Sequence, residues 1–346
     1  MDDLIPYGKQ NITPEDIEAV LKVLKSDLIT QGPNINIFEK AINDKLDCKF
    51  SVAVNSATSA LHISCLALEL SSNDTLWTVS NSFVASANCG RYCGAQIDFV
   101  DINPKTGLMC IDHLKKKLEE AKKLNCLPKI VIPVHLTGTC CDMAIISELS
   151  KIYNFKIIED ASHAIGGKYK CEYIGNCKYS SITIFSFHPV KIITTGEGGL
   201  ATTNNPKIYE RLKALRTHGI VKEKEKFLFD PPGPWHYEQQ YLGLNYRMTD
   251  IHAALGISQL KRLDEICIKR NSLLERYKEK ISTEKINFLE IPSDCFSSVH
   301  LCVIKLKKLD KNIHRKFFDF FRNNKIGVQL HYAPIHLQPY YQNLGF

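Results

Sequence analysis

The chain is expected to be an α/β protein in which a mostly parallel seven-stranded sheet carries helices on both faces and a smaller C-terminal α/β domain follows. Two observations predict this. Between residues 51 and about 200, short apolar β-branched runs alternate with amphipathic stretches, the pattern of parallel strands joined by helical crossovers. The length, 346 residues, exceeds one small core and falls short of three. The division predicted is 1–250 for the large domain with its N-terminal segment and 251–346 for the small one.

The strands are predicted at 51–54, 75–79, 96–100, 130–134, 156–159, 181–185 and 199–203. Helices are predicted at 14–25, 57–70, 83–93, 111–122, 143–153 and 206–217, several opened by Thr, Ser, Asp or Pro, the residues that favour helix starts. The segment 221–240 runs Lys-Glu-Lys-Glu-Lys and then Asp-Pro-Pro-Gly-Pro-Trp. It breaks every period and reads as a long surface loop. Beyond it, 250–280 carries a helical period, 299–306 and 328–331 read as strands, and 311–323 reads as the helix between them. The last residues, from Tyr340 to Phe346, show no helix or strand that closes the second domain, so that domain is expected to be truncated.

Composition narrows the function. The net charge of +7 is spread along the chain without a basic arm, so nucleic acid is not expected as a partner. No apolar run approaches the ~20 residues of a membrane span. Thirteen cysteines in a chain opening Met-Asp-Asp-Leu, with no charged-then-apolar leader, suit a reducing cytosol better than a disulfide framework. No cysteine pair has the spacing of structural zinc, and no metal is expected.

Phe185-Ser-Phe-His-Pro-Val-Lys191 is followed by Ile-Ile-Thr-Thr-Gly-Glu-Gly-Gly199. A strand before the lysine and glycines after it would hold one amine at the mouth of the sheet. Phe155-Lys-Ile-Ile-Glu-Asp160-Ala-Ser-His163 reads as a buried strand ending in a carboxylate. An amine and an acid at the ends of neighbouring strands are the minimum for pyridoxal 5'-phosphate, PLP, whose pyridinium nitrogen needs an anionic partner. Asn55-Ser-Ala-Thr-Ser-Ala-Leu61 follows a strand and opens a helix, where free amides and the hydroxyls of Ser56, Thr58 and Ser59 suit a phosphate. The same letters suit a plain serine-threonine helix cap. Ser186 sits where its hydroxyl reaches the same phosphate, and Phe83 can lie against an aromatic ring. Taken singly, Phe83 also fits a core, His163 a satisfied buried histidine and Asp160 a helix cap. Each, however, falls at the carboxyl end of a predicted strand, where ligands of open α/β sheets bind.

With these motifs the chain resembles the aspartate aminotransferase fold, type I of the PLP enzymes, and within it the DegT/DnrJ/EryC1/StrS family of nucleotide-sugar aminotransferases. The resemblance runs from Leu28-Ile-Thr-Gln-Gly-Pro33 through the blocks above and Ser82-Phe-Val-Ala-Ser86. It continues through Arg216-Thr-His-Gly219 and Gly243-Leu-Asn-Tyr-Arg-Met248 to His331-Tyr-Ala-Pro-Ile335. It implies that Lys191 carries the cofactor as a Schiff base and then moves the proton, that Asp160 partners the pyridinium, and that His163 neighbours the ring oxygen. It further implies Phe83 as the stacking residue, Ser56, Ala57, Thr58 and Ser186 as phosphate ligands, and Asn245 as a phosphate ligand from the other subunit of a homodimer. Tyr7, Thr30, His188, Arg247, His331 and Tyr332 are implied on the substrate side. The implied reaction moves nitrogen from an amino acid, glutamate by family habit, to a nucleoside-diphosphate 4-keto-6-deoxy sugar for surface glycan. The wording is most similar to the aminotransferases of the pseudaminic acid route, and the lysine at 191 sets the chain apart from members that carry histidine there and eliminate water.

Two other readings stand beside this one. A truncated second domain would leave a PLP binder without turnover, and His135, Asp160, His163 and His188 offer donors for metal-assisted hydrolysis, without the ligand spacing of a zinc motif.

Overall fold

The computed structural model describes residues 4–308 and 310–346. One sheet organises it. Its strands are β1 (Phe50–Val54), β2 (Thr75–Val79), β3 (Gln96–Val100), β4 (Ile130–Ile132), β5 (Lys156–Asp160), β6 (Ile182–Ser186) and β7 (Gly199–Thr203). They lie in the order β1-β7-β6-β5-β4-β2-β3. All neighbours from β3 to β6 pair in parallel, and β7 runs antiparallel to both β6 and β1. The seven predicted strands are therefore all present, with small shifts at their ends. β4 stops at Ile132 because Pro133 has no N–H to give the ladder, and Val134 rejoins through an isolated bridge to Asp160.

The helices α1 (Pro14–Leu24), α3 (Ala57–Ala67), α4 (Ala85–Tyr92), α5 (Ile111–Lys123), α6 (Met143–Tyr153) and α7 (Pro206–Arg216) fall where the sequence puts them. A further helix, α2 (Pro33–Leu46), was not predicted. It buries Phe38, Ile42 and Leu46 completely. Its N-cap is Gly32, which has no side chain to offer. The cap comes instead from Asp250, whose carboxylate accepts the Gly32 and Asn34 amides at 2.7 and 2.8 Å.

The predicted helical period over 250–280 divides into α8 (Asp250–Leu260) and α9 (Leu263–Lys280). At the break Arg262 leaves helical geometry and its guanidinium reaches Asp16 of α1 at 2.8 Å. α10 (Lys311–Asn323) is as predicted, but of the expected 299–306 strand only Ile304–Leu306 forms, antiparallel to Ile286–Phe288. Residues 328–331 form no strand. The backbone just before them is already engaged by the N-terminal segment, through Ile5 to Lys325 and Gly327 to Ile5.

Two more expectations are corrected. The 221–240 loop has structure of its own: Ile220–Val221 pairs with Glu238–Gln239, and the Glu238 carboxylate accepts the amides of Leu228 and Phe229. Near the end of the chain, Pro339–Gln342 forms a short helix, α11, opened by a proline at its first position. Tyr341 there is 1% exposed and donates its hydroxyl to Asn88 Oδ1 at 2.7 Å.

Candidate active site

The parallel strands end on one side of the sheet, and a cavity of about 650 Å³ opens there. Its wall includes Ser56, Ala57, Thr58, Phe83, Asp160, His163, Ser186, His188, Lys191, Tyr7 and Tyr332. Eleven of the predicted residues thus converge from six separate stretches of sequence, because the strands and helices that carry them end side by side.

Lys191 stands in the turn after β6, its amide bonded to the His188 carbonyl at 2.9 Å. Burial lowers its pKa to about 8, although the charge of Asp160 pulls the other way. A lysine so placed is partly neutral, hence nucleophilic, near physiological pH. Asp160 ends β5 and is 5% exposed. Its Oδ1 accepts the amide and hydroxyl of Ser162 at 3.1 and 2.6 Å, and its Oδ2 accepts the Ser86 hydroxyl at 2.6 Å. An ionised carboxylate needs such donors once water is removed.

His163 is 6% exposed. Burial, then the charges of Lys191, His300 and His331, push its pKa well below the ordinary value, so it is neutral. One ring nitrogen lies 3.2 Å from the Tyr332 hydroxyl, and the other, Nδ1, has no hydrogen-bond partner among the described residues. Burial raises the Tyr332 phenol, so it keeps its proton. Tyr7 meets His331 at 2.7 Å, hydroxyl to Nε2, with the two rings stacked. Phe83 is 58% exposed at the cavity wall, which fits a face waiting for a ring and not the core role it had as an alternative.

At the opposite end, Ser56 caps α3 by accepting the Ser59 amide at 3.1 Å. The cap and a phosphate cradle are compatible here, since the amides at the helix start remain next to the cavity. Gly199 packs beneath this turn, and a Cβ on it would stand 2.3 Å from the Ser56 carbonyl carbon.

Four predicted residues do not line the cavity: Thr30, Asn245, Arg247 and His331, the last of which meets it only through its contact with Tyr7. Thr30, Asn245 and Arg247 pair through their backbones with Thr249, Thr217 and Val54 respectively. The hydrolytic set does not assemble either. His135 is fully buried behind the sheet end, with Nε2 2.7 Å from Glu159 Oε2. Among the described residues the only close group of metal-donor side chains is His135, Cys140 and Glu159. Sequence reasoning missed Ser86, Ser162, Glu197 and His300. Ser162 lies inside the Asp160 motif and was within reach. His300, whose ring centre is 4.4 Å from that of His163, falls in the 299–306 stretch that reads as a strand and carries no site motif.

An amine of lowered pKa facing a fully hydrogen-bonded carboxylate, with an anion-seeking helix start across the same cavity, defines a PLP enzyme of the aminotransferase class. The chain belongs to the DegT/DnrJ/EryC1/StrS aminotransferase family, which it matches over residues 10–346. It is 36% identical over 342 residues to UDP-4-amino-4,6-dideoxy-N-acetyl-beta-L-altrosamine transaminase of Campylobacter jejuni, taking in 99% of this chain and 87% of that one. Against the spore coat polysaccharide biosynthesis protein SpsC of Bacillus subtilis it is 33% identical, over 98% of this chain and 85% of that one. Among solved structures it resembles Helicobacter pylori PseC, an aminotransferase involved in the biosynthesis of pseudoaminic acid (TM-score 0.89, 29% identity, 99% of this chain and 88% of that one). It also resembles the PLP-form of Spr1654 from Streptococcus pneumoniae (TM-score 0.88, 28% identity, 99% and 88%). The chain spans 85 to 88% of the length of these relatives, and their names do not favour the reading as a binder without turnover.

Proposed function

We propose that this protein transfers an amino group from an amino acid, glutamate being the donor first to test, to a nucleoside-diphosphate 4-keto-6-deoxy sugar. The observation that carries the reading is the placement of Lys191 and Asp160 on one cavity wall, with the lysine lowered to about 8 by burial. The named relatives in altrosamine, pseudaminic acid and spore-coat sugar synthesis support the substrate class.

PLP, when bound, supplies an electron-accepting ring that makes the carbon beside the transferred nitrogen acidic. Lys191 would hold it through its amine and, as a free amine, would be the base that moves the proton at that carbon. Asp160 holds the ring nitrogen's proton. Neutral His163 addresses the ring oxygen, and Phe83 covers one face. Ser56, Ala57, Thr58 and Ser186 take the phosphate. Tyr7, His188, His331 and Tyr332 face the sugar. Residues 1–250 act as the cofactor-binding domain, and 251–346 as the smaller domain that contributes His331 and Tyr332.

Asn245, exposed and away from its own cavity, completes the phosphate site of a second copy, with Arg247 and Thr30 serving the substrate there. The working unit is then a homodimer in the cytoplasm. Borohydride reduction followed by peptide mass mapping tests the core of this reading: the cofactor's mass must appear on Lys191 and be absent from Lys191→Ala. Incubation with glutamate and a panel of nucleotide keto-sugars then identifies the substrate, and a panel with no aminated product refutes the transfer. Mixing Asn245→Ala with Lys191→Ala tests the shared site, since hybrid dimers must regain part of the activity that each variant lacks.

A further inference from the structure

Asp160 is held by a chain of serines that the reaction as described does not use. Ser86 lies in the first turn of α4, where no helical carbonyl stands one turn earlier for its hydroxyl to bond back to. Instead it leaves the helix and donates to Asp160 Oδ2, 74 positions further on in the sequence, at 2.6 Å. Ser82 Oγ stands 2.9 Å from Ser86 Oγ. An ionised carboxylate only accepts, so the single Ser86 proton points at Asp160, and Ser82 must be the donor to Ser86. The direction of the chain is thereby fixed as Ser82 to Ser86 to Asp160. Ser86 is 0% and Ser82 3% exposed, and in such surroundings each bond polarises the next.

The turn is built for two tasks. Phe83, between the two serines, faces the cavity, while Ser86 addresses the acid from below. Ser162 holds the other carboxylate oxygen with both its amide and its hydroxyl. All three groups are placed to donate to the carboxylate oxygens.

We propose that Ser86, supported by Ser82, is a positioning residue that keeps Asp160 ionised and aimed, so that the proton of the Asp160–cofactor pair stays on the ring nitrogen. The inference rests on the PLP reading above and adds the group that sets the proton's place. Removing the Ser86 hydroxyl destabilises the carboxylate and draws that proton from the ring toward Asp160.

The test is the ring-nitrogen resonance of the holoenzyme loaded with PLP carrying ¹⁵N in the pyridine ring. Ser86→Ala is expected to move the resonance toward that of unprotonated pyridine, and to lower kcat roughly tenfold, the size of one hydrogen bond to a charged group, with less than about a twofold change in the sugar KM. Ser82→Ala, which acts one bond further away, is expected to move the resonance less and in the same direction. It also carries the test if Ser86→Ala folds poorly. An unmoved resonance in the folded variants overturns the inference, even if activity falls. If wild-type Lys191 acquires no cofactor on reduction, it is the PLP reading that fails, whereas a labelled Lys191 with unmoved nitrogen removes only the role of the serines.

Discussion

Gly199 lies so close under Ser56 that a Cβ would stand 2.3 Å from the Ser56 carbonyl carbon and 2.4 Å from the Ala57 nitrogen. β7 and the start of α3 are thus in backbone contact. Both contacts are backbone, so no rotamer change relieves them. Gly199→Ala is expected to destabilise the fold by about 1 to 3 kcal/mol through overpacking and to weaken PLP binding by lifting the helix start. Thermal unfolding and a cofactor titration check it. An unchanged affinity would show that the α3 start does not serve the phosphate.

Lys191 sets a pH window. Only the neutral amine can attack a carbonyl, and burial places its pKa near 8 in place of 10.5. The rate at which cofactor-free protein takes up PLP is expected to climb up to about pH 8 and level off above it. An unshifted lysine would keep accelerating to beyond pH 10. The same shift acts on folding: between about 8 and 10.5 the unfolded chain binds a proton that the folded chain has released, so this group makes stability rise with pH there. Stopped-flow absorbance against pH reads the rate.

Asp250→Ala removes the acceptor for the Gly32 and Asn34 amides. A lost cap costs about 1 to 2 kcal/mol. The loss is expected to appear as a lower urea midpoint, with amide exchange accelerated first over 32–36. Uniform exchange across the domain would mean that α2 depends on packing alone.

Glu159 accepts hydrogen bonds from His135, Ser180 and Thr183. Burial opposes its charge, but these donors hold its pKa below the ordinary carboxylate range. Glu159→Ala leaves the buried His135 and Thr183 and the half-buried Ser180 without this acceptor and is expected to cost about 3 to 5 kcal/mol. Glu159→Gln, which keeps one acceptor oxygen, should cost less. Equal urea midpoints for the two variants would contradict this.

The seven strands and the identity of the lysine and the acid were legible in the sequence, because each depends on local pattern: β-branched runs, a proline or glycine at their ends, a polar residue just past the last apolar one. The end of β4 moved for an equally local reason, the missing N–H of Pro133. α2 shows where locality fails. Its apolar period at 35, 38, 42 and 46 was present, but its start signal belongs to Asp250, 218 positions further on. The break at Arg262 is of the same kind, being made by Asp16 of α1.

By itself, then, the sequence determined which chemical groups the chain possesses and on which strands they end, since side-chain type and hydrophobic period are written residue by residue. Only the tertiary structure decided that Ser86 donates to Asp160, that His300 stands behind His163, and that Lys191 loses its charge at a pH near 8. Those properties arise from burial and from neighbours distant in the chain, and neither exists before the sheet has assembled.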